Sequence, residues 1–287
     1  MNLFQITVEK HITENPIASQ FPMHAHDGYE IYIFLSGSSE YSVEGNIYQL
    51  FPGDIMILNK NEAHHPLIKK PLPYTRLYIN FNPLFDVDDA LTQDFLTIFT
   101  NKPAGLNNHY SAKHFPNNHW DFYFNNIYHT EDDTQRQVFL MALLLELKKC
   151  STDVTTQTTN CSTNNVYQIT QYIDRHLTHS LSLEIICERF FISPSQLNRN
   201  FKKNLGITVG EYITTKRLLL AHDLLNQGQM PSHIYKKCGF HDYSTFFRAY
   251  KKKFGYSPKK INPFDFCHSS DIYSVQSSKQ YPTSKVD

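Results

Sequence analysis

SPSQLNRNFKKNLG, residues 193–206, and DYSTFFRAYKKKFG, residues 242–255, read as one helix written twice. In the first copy Ser193 is a cap, and Pro194 suits the first helical position. Gln196 sits where a capping box wants it, and Gly206 is a stop signal. At about 100° per residue, Leu197 and Phe201 make one narrow apolar stripe. Ser195, Arg199 and Lys202 cluster opposite it. One such helix reads as a solvated surface. A shift of forty-nine residues, however, carries Ser195 onto Ser244, Arg199 onto Arg248, Lys202 and Lys203 onto Lys251 and Lys252, and Gly206 onto Gly255. The apolar pair becomes Phe246 and Tyr250, and the cap becomes Asp242. An apolar edge and a basic edge that recur in register imply an outside partner for the basic edge.

A short helical pattern precedes each copy: SLEIICERF at 182–190 and SHIYKKCGF at 232–240. Helix, tight turn, polar-faced helix is the helix-turn-helix pattern, whose second helix enters the major groove of DNA. Between the units runs TVGEYITTKRLLLAHDLLNQG, 208–228, a third helical pattern opened by Thr208 and Glu211 and ended by Gly228. About nineteen residues at 1.5 Å give about 28 Å of helix, near the ~34 Å turn of DNA. Residues 165–263 hold fifteen Lys or Arg against six Asp or Glu, a net +9, while the whole chain balances at 27 against 27. A neutral total therefore hides a basic C-terminal segment and an acidic remainder, and a polyanion suits the basic segment alone.

Phe201-Lys-Lys, Gly206, Tyr212, Lys216-Arg217, Ala221, Leu224-Leu225, Gly239-Phe240, Ser244, Phe246, Arg248, Tyr250-Lys251, Gly255 and Ser257-Pro258 together resemble the C-terminal signature of AraC/XylS-type transcription regulators. The resemblance covers about a hundred residues. It departs at Tyr235, where the family has a small residue, and at Ile261-Asn262, where an aromatic-Arg pair is common. The resemblance implies sequence-specific binding to double-stranded DNA. The expected base readers are Ser195, Asn198 and Arg199 in the first unit, and Tyr243, Ser244, Thr245 and Arg248 in the second. An Arg on the groove face suits guanine O6 and N7. Lys202, Lys203, Lys251, Lys252 and Lys253 are expected on phosphate, which positions rather than specifies.

The first half has a different period. YEIYIFLSG (29–37), SEYSVEGNIYQLFPGD (39–54), IMILNK (55–60) and TRLYINF (75–81) are short β-rich runs punctuated by Gly37, Glu44-Gly45-Asn46 and Pro52-Gly53-Asp54. Such spacing suits an antiparallel sandwich or barrel. Within it MHAHDGYEIYIFLSG gives H-x-H, then Glu30, then Gly37, and His64-His65 follows later. This resembles the small-barrel cupin fold over about eighty residues. Cupin enzymes hold a divalent metal with two His, a Glu and a later His, which here would be His24, His26, Glu30 and His64. In regulator cupins the same residue types survive as polar walls of a ligand pocket. Beside a DNA-binding half the expectation is therefore an effector pocket with no metal and no cofactor, lined by His24, His26, Glu30, His64, Arg76 and Tyr78. The H-x-H spacing places His24 and His26 on one face of a strand. Tyr29, Tyr32, Phe34 and Tyr41 add stacking surface for a sugar-like effector, although alternation lets only about half of these point inward.

Residues 86–149 turn helical, most clearly at 86–100 and 131–150, and the second run has a wide apolar surface from Val138 to Leu147. Its surplus beyond one buried side suggests a partner helix and a homodimer. STDVTTQTTNCSTNN, 151–165, is polar and reads as a flexible linker. The longest apolar run, VFLMALLL at 138–145, is too short to span a membrane. Five scattered Cys without a C-x-x-C pair, and no secretory pattern, place the chain in a reducing cytoplasm. The expected organisation is multidomain: an all-β cupin-like barrel with a helical segment over 1–150, a linker over 151–164, an all-α double helix-turn-helix over 165–263, and a tail over 264–287. The expected function is a transcription regulator, not an enzyme, answering a small-molecule effector, with RNA polymerase as a further candidate partner. The rival reading is a metal-dependent cupin enzyme fused to a DNA-binding domain.

Overall fold

The computed structural model describes residues 3–38, 40–84, 90–115, 120–153 and 165–259. It divides into two compact units, Met1–Tyr172 with Phe190–Thr208, and Ile173–Arg189 with Val209–Asp287. The expected linker lies outside the described residues from 154 to 164, as do the tail and Ile261-Asn262.

Among the described residues the first unit has eight strands: β1 Phe4–Thr13, β2 Tyr29–Ser36, β3 Glu40–Val43, β4 Asn46–Gln49, β5 Ile55–Leu58, β6 His64–Leu67, β7 Tyr74–Pro83 and β8 His109–Tyr110. They form a five-stranded sheet ordered β1-β7-β2-β5-β8 and a three-stranded sheet ordered β4-β3-β6. All pairs are antiparallel. The tight β3–β4 hairpin turns on Glu44 and Gly45, at φ 50° and 80°. A Cβ on Gly45 would meet Val166 at 2.8 Å, so both conformation and space require glycine there.

Successive side chains point to opposite faces of a strand, and the large sheet uses both faces. Its odd positions, Tyr29, Ile31, Ile33, Ile55, Ile57, Leu77, Ile79 and Phe81, join one apolar cluster. Three helices complete that cluster: α1 Ala90–Thr100, α2 Trp120–His129 and α3 Asp133–Asp153. Phe95, Phe99, Phe124, Ile127, Leu140, Leu143 and Leu147 are their main contributions. Gln137 of α3 ties the layer to β1 by accepting from the Phe4 amide at 3.0 Å and donating to its carbonyl. The even positions Tyr32, Phe34, Met56, Leu58 and Tyr74 form a second cluster with Tyr41, Val43, Tyr48 and Leu50 of the small-sheet segment. That second cluster is the barrel interior.

Several features differ from expectation. Helix α3 runs to Asp153, three residues into the stretch read as linker. Tyr29 faces the helical core, stacked with Phe81 at 5.6 Å, rather than the interior. His24 and His26 do not lie on a regular strand. They lie in an irregular segment tied down by a bridge between His24 and His64, the Asn61 amide on the His26 carbonyl at 2.9 Å and the Asn82 side chain on the Asp27 carbonyl at 3.0 Å.

The remaining helices are α4 Asn165–Arg175, α5 Leu183–Phe190, α6 Pro194–Leu205, α7 Val209–Asn226, α8 Pro231–Lys237 and α9 Tyr243–Phe254. Helix α8 starts at Pro231, one residue before the expected Ser232, because Pro is pre-set for the first helical position. In the second unit Arg217 of α7 donates to the carbonyls of Leu177 and His179 at 3.0 and 3.1 Å. His222 of α7 pairs with the Tyr250 hydroxyl at 2.8 Å and stacks on Phe254 at 4.7 Å, fastening α9 to α7.

One buried network positions the loop between β5 and β6. Glu62 pairs with Lys102 at 2.7 Å, both side chains almost fully buried. It also accepts from the amides of Asn59 and Gly105 and from the Asn108 side chain, at 2.8, 2.7 and 2.9 Å. Removing one partner of a buried ion pair typically costs about 3–5 kcal/mol. Glu62→Ala is therefore expected to lower the unfolding free energy of the first unit by that amount in chemical denaturation. A loss below about 1 kcal/mol, the scale of an exposed pair, would show the network to be dispensable.

Candidate functional site

The barrel interior brings together four of the six expected effector residues. His26 Nε2 lies 3.0 Å from Glu30 Oε2, and His64 Nε2 lies 4.0 Å from the same oxygen. The His24 ring centroid is 4.3 Å from that of His64, and the His26 centroid 5.1 Å. Burial pushes His64 well below the usual imidazole range, and the neighbouring His24 and His26 push it further. His64 is thus neutral at ordinary pH, and its Nε2 is buried with no hydrogen-bond partner among the described residues.

Arg76 and Tyr78 share the inward face but stand apart from this group. In the β2–β7 register Phe34 faces Arg76, Tyr32 faces Tyr78 and Glu30 faces Asn80. The Arg76 guanidinium lies over the rings of Phe21 and Tyr74, at 5.0 and 5.2 Å. Its Nη1 is buried without a hydrogen-bond partner among the described residues. The Tyr78 hydroxyl donates to Glu9 at 3.0 Å and also meets His11, whose ring stacks on it at 5.1 Å. Between the two ends, Tyr32 and Tyr74 share a short hydroxyl contact. Burial pushes the Tyr74 hydroxyl up to about 12 and raises Tyr32 and Tyr41 as well. With Glu9 and His11 the site therefore offers two carboxylates, one guanidinium, four imidazoles and four tyrosine hydroxyls. Sequence reading missed Tyr74, Asn80, Glu9 and His11. The signal was the period-two run Tyr74, Arg76, Tyr78, Asn80, whose polar members share one face.

The basic edges of α6 and α9 form the second candidate site. Ser193 caps α6 by accepting from the Gln196 amide at 3.2 Å, and Asp242 caps α9 by accepting from the Thr245 amide at 2.7 Å. Gly206 and Gly255 end them in left-handed conformation, at φ 72° and 80°. The expected Gln196 capping box does not close. Its amide turns along the helix to Asn200 at 2.7 Å and to Arg199. Leu197, Phe201 and Leu205 are buried in α6, and Phe246, Tyr250 and Phe254 in α9, so the apolar repeat has three members. Ser195, Arg199, Lys202 and Lys203 are exposed in α6, as are Ser244, Thr245, Arg248, Lys251 and Lys252 in α9. Asn198 is half-buried and donates to the Pro194 carbonyl at 3.2 Å. Tyr243 is exposed at its edge but packs on Tyr235 at 5.8 Å, which accommodates the large residue at that crossing. Lys253, expected on phosphate, is half-buried, and desolvation lowers its pKa.

Two family models match this chain: an AraC-like ligand binding domain over residues 9–147 and a helix-turn-helix domain over 186–262. Together they span about three quarters of the sequence. The chain belongs to the AraC family of transcription regulators. The HTH-type transcriptional activator RhaS of Escherichia fergusonii is 24% identical over 258 residues, covering 84% of this chain and 87% of that protein. The probable transcriptional regulator LumQ of Photobacterium leiognathi is 35% identical over 101 residues, covering 35% of this chain and 41% of that protein. Among solved structures, ToxT from Vibrio cholerae O395 aligns over 92% of this chain and 98% of its own, with 14% identity and a TM-score of 0.37. No described helix is long and apolar enough to cross a membrane.

A buried cationic nitrogen without a partner costs stability. Arg76→Met removes that cost while keeping a similar aliphatic volume. The expected outcome in denaturant unfolding is an unfolding free energy unchanged or raised, by up to about 1 kcal/mol. A loss above ~2 kcal/mol would make Arg76 a structural residue and remove it from the ligand site.

Proposed function

We propose that the chain regulates transcription by binding operator DNA through α6 and α9 in response to a small polar effector held in the barrel interior. We take 1–150 as the sensing and dimerising domain and 165–263 as the DNA-binding domain. The observation that carries the reading is the pairing, in one chain, of a polar barrel interior with two capped helices of repeated basic edge. Tyrosine rings beside hydroxyl, carboxylate and guanidinium groups suit a hydroxyl-rich molecule such as a sugar. Strand β6 offers a route between the two sites. His64 turns into the chamber, while its neighbour His65 donates from Nε2 to the Asn204 carbonyl of α6 at 3.2 Å. An effector that shifts His64 would shift this contact.

On DNA, the base readers are Ser195, Asn198 and Arg199 in α6 and Tyr243, Ser244, Thr245 and Arg248 in α9. Lys202, Lys203, Lys251 and Lys252 meet phosphate. Arg199→Ala is expected to cost about 1–3 kcal/mol on the cognate site and to relax preference at one or two bases. Lys252→Ala is expected to weaken all duplexes alike. Titrations on cognate and scrambled duplexes read this directly, and equal losses on both for Arg199→Ala would sink its base-reading role.

Assembly as a homodimer through α3 is supported by Val138 and Leu145, seven residues apart on one face and 52% and 44% exposed. Sedimentation of full-length Leu145→Glu is expected to show a shift from dimer to monomer. A sedimentation coefficient unchanged from the parent would place the interface elsewhere. The regulator is read as a cytoplasmic protein, in keeping with free Cys150, Cys187 and Cys238. RNA polymerase is its proposed partner in activation.

A further inference from the structure

The inward face of β7 leaves two kinds of polar atom unsatisfied, and they lie at opposite ends of the chamber. At one end is Arg76. Its guanidinium lies over the rings of Phe21 and Tyr74, and its Nη1 is buried without a hydrogen-bond partner among the described residues. A ring face attracts a cation but leaves its fork of N–H donors for other acceptors. The two carboxylates of the site are engaged elsewhere, Glu9 with His11 and the Tyr78 hydroxyl, Glu30 with His26. A buried cation without a counter-charge is costly. A carboxylate matches the guanidinium fork on two parallel hydrogen bonds.

At the other end the unsatisfied atoms are acceptors. His64 sets its Nδ1 against the Glu62 carbonyl at 2.7 Å. A carbonyl only accepts, so Nδ1 carries the proton and Nε2 is a lone pair. That Nε2 and the Oδ1 atoms of Asn80 and Asn82 are buried without hydrogen-bond partners among the described residues. The Asn82 amide is oriented by donation from Nδ2 to the Asp27 carbonyl at 3.0 Å. Glu30 stands beside His64, with Oε2 4.0 Å from Nε2, and faces Asn80 across the β2–β7 register. This end therefore attracts donors and repels a carboxylate. Between the ends, the charges of Glu30 and Arg76 act in opposite senses on the hydroxyls of Tyr41, Tyr74 and Tyr78. A tyrosine hydroxyl both donates and accepts, as a ligand hydroxyl does.

We infer that the chamber takes a hydroxylated carboxylic acid of the sugar-acid class, with its carboxylate on Arg76 and its hydroxyls on Glu30, His64 and Asn80. This rests on the reading of the barrel interior as an effector pocket, and it replaces a neutral sugar by an acidic one. Four residues of β7 separate Arg76 from Asn80, about 13 Å along the strand. That is room for a chain of about six carbons with a hydrogen bond of about 2.9 Å at each end. Charge fixes the direction of binding, because Glu30 turns the acid end away and Arg76 draws it in. A neutral sugar leaves the guanidinium without a counter-charge. An unsubstituted fatty acid leaves the acceptors of His64 and Asn80 without donors.

The test titrates the full-length protein by calorimetry at constant ionic strength with three kinds of probe. Gluconate and galacturonate are the hydroxy acids, sorbitol and galactose their neutral counterparts, and hexanoate the acid without hydroxyls. Both hydroxy acids are expected to bind at least about tenfold more tightly than the neutral pair and than hexanoate, on the scale of a hydrogen bond to a charged group. Arg76→Met should remove the preference for acid over neutral probe. Asn80→Ala should weaken gluconate and leave hexanoate unchanged. The comparison of probes on the parent protein needs no variant, so it stands even where a substitution disturbs folding. Neutral sugars binding as tightly as the acids would overturn the acid class and leave a neutral effector in the chamber. Hexanoate binding as tightly as gluconate would overturn the hydroxyl requirement. Acid binding that survives Arg76→Met at full strength would place it outside the chamber, and no binding of either hydroxy acid would overturn the inference outright. The effector reading itself fails on a separate measurement, if gluconate or a neutral sugar bound in the chamber leaves operator affinity unchanged.

Discussion

The period-two alternation of the five-stranded sheet is the constraint on which the rest depends. Tyr29, Ile31 and Ile33 of β2, Ile55 and Ile57 of β5, and Leu77, Ile79 and Phe81 of β7 alternate along their strands and pack in one apolar cluster with three helices. That layer contributes about 1.5–3 kcal/mol per large buried side chain. The intervening positions are divided: Tyr32, Phe34, Met56, Leu58 and Tyr74 build the second apolar cluster, and polar residues stand among them. Those are Glu30, Arg76, Tyr78 and Asn80, residues no stability argument would select for a barrel interior. One face of the sheet is wholly apolar core, and the other mixes a second apolar cluster with the polar groups available for chemistry.

The same division explains the uneven legibility of the sequence. The repeated helices were readable because every cue agreed: cap, stop, apolar stripe and basic edge all recurred, and the structure adds only Leu205 and Phe254 as a third buried pair. Strands β2, β3, β4, β5 and β7 showed through their β-branched and aromatic runs. Strand β6, His-His-Pro-Leu, was not legible as a strand, because its pairing with β3 comes from tertiary context. Helix α2 lay inside the stretch read as helical but was not singled out, for a related reason. WDFYFNNIYH holds weak helix formers, and its helicity rests on burying Phe124 and Ile127 against the core.

The histidines show where spacing misleads. H-x-H implied a shared strand face, yet the segment is irregular and the two rings converge through one bridge to His64. What brings them together is long-range: Glu62 anchors the loop, its carbonyl orients His64, and His64 sits beside Glu30. None of these pairings leaves a trace in local pattern. Nor does the contact of His65 with the Asn204 carbonyl, which ties β6 to a helix far along the chain.

The claim that one sheet face is all core and the other holds the polar groups for ligand is tested most directly by neighbours on β7. Ile79 is fully buried on the helical side, whereas Asn80 faces inward with its Oδ1 lacking a partner among the described residues. Unfolding free energies of Ile79→Ala and Asn80→Ala, measured in parallel in denaturant, compare the two faces at adjacent residues. The account predicts a loss of about 2–5 kcal/mol for Ile79→Ala and about 1 kcal/mol or less for Asn80→Ala. Equal losses at the two positions would contradict it.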